Sequence, residues 1–148
     1  MIHTNSPTKQ RNQLRRTIVE MLHRLSRKGG IDIEGDAFDD EARDMAATIV
    51  FALIAISEGV QSSAAAWEKR GYWMKAERFM RDWEWTKEIA ANLDDVLRHE
   101  AWDLVPELML QLLPHFNDIQ VNKYMRKQAT WAGEYARLIA GEPLAPPY

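Results

Sequence analysis

The run MAATIVFALIAI, Met45 to Ile56, decides the fold. It is apolar on every side of a helix, yet well short of the roughly 18 to 20 residues needed to cross a bilayer. Acidic residues precede it and Ser57-Glu58-Gly59 follows. Such a run reads as the central helix of a bundle, buried by neighbours, rather than as a membrane segment. The helix starts near Asp39. Beyond the run, the pattern is compatible either with a break near Gly59 or with continuation through EGVQSSAAAWEKR.

Upstream, Ser6 and Pro7 form a helix start: a capping hydroxyl, then the residue whose missing N–H costs nothing in the first turn. Leu14, Ile18, Met21 and Leu25 recur at steps of four, three and four, and Gly29-Gly30 supplies a stop. This predicts a first helix over 7–28. The acidic stretch GIDIEGDAFDDEARD then reads as a loop that runs into the second helix.

Downstream, Tyr72, Ala76, Phe79, Trp83, Thr86, Ala90, Leu93 and Leu97 alternate steps of four and three, predicting a third helix over 72–98 with a heptad-like seam. AWDLVPELMLQLLP predicts a short fourth helix, with Pro106 in its first turn and Pro114 at its end. A fifth is expected from Asn117 to Ala140, with Val121, Tyr124, Gln128, Trp131, Tyr135 and Leu138 on one side and Gly141 as its cap. There is no alternating β pattern and no repeat of solenoid length. The expected fold is all-α: a single-domain bundle of four to five helices over 1–148, with 1–6 and 142–148 as loose tails.

The chain has 148 residues and no cysteine, which removes disulfides, thiolate metal sites and cysteine nucleophiles from consideration. The start MIHTNSPTKQRNQ has no apolar h-region, so a cytoplasmic protein is expected. The net charge of −3 is unevenly placed. Residues 1–30 carry seven Lys or Arg against one acid, Glu20; the remaining 118 carry twelve against twenty-one.

The chemistry-bearing motifs are incomplete. A di-iron bundle needs two Glu-x-x-His pairs on facing helices, and only Glu20 and His23 form one. Asp32, Glu34 and Asp36 occupy the first, third and fifth positions of a calcium loop, but Ala37 stands where Gly is required and Arg43 where Glu is. Asp40, Glu41 and Asp44 fall within one turn and could hold magnesium for phosphohydrolase chemistry. Acids in a helix's first turn are equally explained by its dipole. No nucleophile elbow or phosphate cradle is present, and no cofactor is expected. The basic first helix, through Arg11, Arg15, Arg16 and Arg24, could contact nucleic-acid phosphates or acidic protein surface.

One feature exceeds what a one-sided helix needs. In RDWEWTK, Arg81 to Lys87, Trp83 and Trp85 point about 200° apart on a continuous helix. Trp85 then shares a second stripe with Ile89 and Val96. Six tryptophans in the chain add to the surplus. Either this helix is packed on two sides by its own chain and Trp85 is ordinary core, or the stripe is left over for another molecule or lines a ligand cavity. The functional expectation is a non-enzymatic protein that binds protein, as a homo-oligomer, through Trp85, Ile89 and Val96 with Trp73 and Arg81.

Overall fold

The computed structural model describes residues 6–28 and 38–144. The Gly29-Gly30 stop, the calcium-loop reading of Asp32, Glu34 and Asp36, and the outermost tails 1–5 and 145–148 lie outside them. Among the described residues there are helices and no strand, as an all-α bundle requires. The helices are α1 (Pro7–Arg27), α2 (Asp40–Lys69), α3 (Trp73–Asp82), α4 (Glu84–Arg98), α5 (Val105–Leu112) and α6 (Glu134–Ala140), with short 3₁₀ turns between.

The start of α1 is capped as the sequence indicates: Ser6 Oγ accepts the Lys9 N–H at 3.1 Å. Asp39 does the same for α2, accepting the Ala42 N–H at 2.8 Å, and that bond holds its carboxyl below the usual carboxylate range. Lys28, just past the end of α1, pairs with Glu41 at 3.0 Å and Asp39 at 3.3 Å at the start of α2.

α2 is the central element. Met45, Ala46, Ala47, Ile49, Val50, Leu53 and Ile56 are all sealed from solvent, and α1, α3, α4 and α6 pack around it. It runs unbroken past Gly59 to Lys69, where Gly71, at φ +84°, turns the chain into α3. It is the one described helix long and apolar enough to cross a bilayer. In the fold, 56% of its most apolar 18-residue window is buried by the rest of the chain.

Two predicted helices are corrected. The rod expected over 72–98 is broken at Trp83, whose φ of −112° and ψ of 6° end α3 and start α4. The buried Thr86 hydroxyl donates to the Trp83 carbonyl at 2.7 Å and stabilises the break. The seam survives it: Ala76, Thr86, Ala90, Leu93 and Leu97 are all buried.

The helix expected over 117–140 is a larger miss. Only Glu134–Ala140 is α-helical, preceded by a 3₁₀ turn at Gln128–Thr130 and an irregular path before that. Side-chain acceptors from the other helices take the backbone N–H groups that a helix would have used. Glu20, 2% exposed, accepts Met125 N–H at 2.7 Å and Arg126 N–H at 3.0 Å. Asp94, also 2% exposed, accepts the Leu144 N–H at 3.0 Å, while Arg98 donates to the Glu142 carbonyl at 3.1 Å. Residues 142–144 are therefore tied down rather than loose.

Candidate functional site

The break at Trp83 answers what the second tryptophan is for. A change of direction between α3 and α4 brings the rings of Trp83 and Trp85 to the same side, 5.9 Å apart and 29° from parallel. They form the middle of a half-buried aromatic row. Trp67 meets Phe79 at 4.8 Å, Phe79 meets Trp83 at 6.5 Å, and His115 closes the row on Trp85. The Arg11 guanidinium sits 5.1 Å from both the Phe79 and Trp83 rings.

The stripe expected to face a partner is therefore covered by its own chain. Ile89 is 6% and Val96 9% exposed, both within the core, and Trp85 lies beneath His115 and Phe116. Ile89 and Val96 share the unbroken helix α4 with the seam residues Ala90, Leu93 and Leu97, and both stripes are interior because α4 is packed by α2 and by α5. Trp73 and Arg81 do stay on the surface, Trp73 at 63% exposure and Arg81 paired to Glu77 at 2.7 Å.

The acidic trio does not converge. The Asp40 side chain is fully exposed, Glu41 binds Lys28, and Asp44 accepts the N–H groups of Gly133 at 3.2 Å and Tyr135 at 2.9 Å. Asp44 thus caps α6 from α2, in place of the side chain Gly133 lacks. Among the described residues no cluster of three metal-ligating side chains occurs.

The basic helix is largely committed to its own fold as well. Arg15 grips Asp118 through two hydrogen bonds, of 2.6 and 3.0 Å, and donates to the His115 carbonyl at 3.0 Å. Arg24 bonds Glu20 at 3.1 Å and lies over the Tyr124 and Trp131 rings. With Arg11 over Phe79 and Trp83, only Arg16 of the four predicted phosphate contacts keeps an exposed, unengaged head among the described residues. A phosphate track requires several such heads in a row.

A groove of about 590 Å³ runs between α1 and α5. Val19, Leu22, His23 and Ser26 line one wall; Pro106, Met109, Leu110 and Leu113 line the other. Each set has the spacing i, i+3, i+4, i+7 that makes one face of a helix. Leu22, Leu25 and Phe116 form a dry floor, whereas Leu110 and Leu113 stand 66% and 50% exposed at the rim.

Both helices owe these stripes to width. Ile18, Met21 and Leu25 satisfy the core on α1, and Val105, Leu108 and Leu112 do so on α5. On α5 the groove stripe is a second apolar face beside the first; on α1 it combines Val19 and the core residue Leu22 with the polar His23 and Ser26. The same i, i+3, i+4, i+7 spacing is present in the sequence of α5 at Pro106, Met109, Leu110 and Leu113. Comparison with family models, with curated proteins and with solved structures returns no match.

Proposed function

We propose that this is a non-enzymatic binding protein of the cell interior that takes an amphipathic helix of a protein partner into the groove between α1 and α5. The single supporting observation is the pair of facing helical stripes over an apolar floor, with Leu110 and Leu113 left exposed at the rim. A third helix laid between two such walls completes the packing that helices of a bundle give one another. Anchors at i, i+3, i+4 and i+7 are what that mode of recognition reads. The interaction class expected from the sequence is kept; its location moves from α4 to the α1/α5 face.

The test uses a synthetic 18-residue Leu/Lys amphipathic helix as probe and methyl NMR of the protein as readout. Shifts confined to Val19, Leu22, Leu110 and Leu113 are expected, with buried Val60 at the far end of α2 unmoved. Absence of shifts at about 1 mM peptide, a weak-binding limit near −4 kcal/mol, overturns the reading. Shifts spread over other surfaces overturn it equally.

A further inference from the structure

The charges beside the groove are arranged by level as well as by side. Arg15, early in α1, binds His115 and Asp118 just past the end of α5, so the two walls run antiparallel. Arg27, at the end of α1, therefore stands level with Asp103 and Glu107 at the start of α5. On a helical projection the exposed Arg16 and Arg27 lie on the outer flank of α1, one step round from the groove stripe. The exposed Glu107 lies on the outer flank of α5 in the same way, and the exposed Asp103 stands in the 3₁₀ turn just before that helix. None of these four makes an ion pair among the described residues.

Resting on the groove reading above, we infer that the helix the groove accepts is α5 of a second copy of this chain, in a two-fold dimer whose axis runs parallel to the groove on its α5 side. The exposed ridge of Leu110 and Leu113 is an apolar helical face that needs a wall of this shape, and the groove is a wall that needs such a face. Both lie on the same surface, which is the self-complementarity an isologous contact demands. Charge selects the axis. Rotation about the groove direction keeps every residue at its own level and exchanges the two walls, so Arg27 of one copy meets Asp103 and Glu107 of the other, twice over. Rotation about the perpendicular axis would instead set arginine flank against arginine flank and acid flank against acid flank. Opposite rim charges fix such a register, and like charges penalise the alternative.

The experiment is light scattering of the full chain over rising concentration, for the unchanged protein, Glu107→Arg, and Glu107→Arg combined with Arg27→Glu. The expected mass tends to twice that of one chain. Charge reversal at Glu107 alone weakens association by about tenfold, and the added Arg27→Glu restores it. Circular dichroism keeps the comparison valid, since both positions are exposed and the variants retain the helical spectrum. A mass of one chain at about 1 mM overturns the inference. So does association that ignores the charge reversal or is not restored by the paired exchange. If the chain stays single while the Leu/Lys peptide still shifts the groove methyls, the second copy is excluded and the groove keeps its helix-binding reading. If neither occurs, both fall.

Discussion

The imidazole of His115 lies flat on the indole of Trp85, with ring centroids 3.7 Å apart and planes 8° from parallel. This contact joins α4 to the turn that follows α5, and Phe116 meets the same indole edge-on at 5.8 Å. Trp85→Ala removes both contacts and leaves a void beside Ile89. A loss of about 2 to 4 kcal/mol is expected from urea unfolding, below the full range for a sealed tryptophan because one edge of the ring remains wet. A loss under about 0.5 kcal/mol would mean the ring is surface decoration.

The same stack sets a pH dependence. Burial holds His115 below its ordinary value of 6.5, since removal from water disfavours the imidazolium. The unfolded chain therefore binds the proton first as pH falls. Stability contributed by neutral His115 is full above the unfolded value and declines once pH drops below it, until the folded pKa is passed. Unfolding free energy measured between about pH 7 and 5 is expected to fall, and His115→Phe to flatten that part of the curve. An unaltered slope in the variant would assign the effect elsewhere.

Glu20 carries the irregular segment. Its carboxylate is buried and takes two backbone N–H groups as well as the Arg24 guanidinium, so its loss strands donors that have no helical partner. Glu20→Ala is expected to cost about 2 to 3 kcal/mol and to open 121–127 locally before the bundle melts. Trypsin reads this directly, through faster cutting after Lys123, Arg126 and Lys127. Glu20→Gln keeps the shape but turns an amide N–H₂ toward Arg24, and should fall between the two.

These contacts mark the boundary of what the chain discloses on its own. Periodicity found α1, α2 and the seam from Ala76 to Leu97, because apolar spacing along one helix is local information. It failed at Trp83, where the break follows from packing two indoles on one side and from a Thr86 bond. It failed again over 117–133. There the backbone donors are satisfied by Glu20 and Asp44, which are about 90 to 105 residues away in sequence and show no local pattern. For the site, Trp73 and Arg81 lie on the surface. Ile89 and Val96 do not, because α4 is packed by both α2 and α5, which no pattern along one helix discloses. The groove is a relation between two stripes, and only their juxtaposition across α1 and α5 makes it visible.

The rim leucines should stabilise nothing within one chain. Leu110 and Leu113 are mostly exposed, so Leu110→Asp and Leu113→Asp are each expected to change the unfolding free energy by less than about 0.5 kcal/mol. Leu112→Ala, one position away but sealed in the core, should cost about 2 to 5 kcal/mol. Equal losses at Leu110 and Leu112 would show that the groove wall is interior to the fold, and would remove it as a docking face.

Asp44 and Gly133 meet at the start of α6, and their variants separate two sources of stability. Asp44 supplies the cap from α2, so Asp44→Ala should cost about 1 kcal/mol, while Asp44→Asn, which keeps an acceptor oxygen, should cost less. Gly133 holds φ at +79° with open space around the position a Cβ would take. Gly133→Ala therefore costs backbone strain alone, about 1 to 2 kcal/mol. Because the two act on one helix terminus, the double variant should lose less than the sum of the singles, once α6 has already come away. Thermal unfolding with and without millimolar magnesium completes the test. Both oxygens of Asp44 are already engaged, by Gly133 and Tyr135, and no cluster of ligating side chains surrounds it among the described residues, so no rise in melting temperature is expected on adding the metal; a rise would show that this carboxylate has a second occupation.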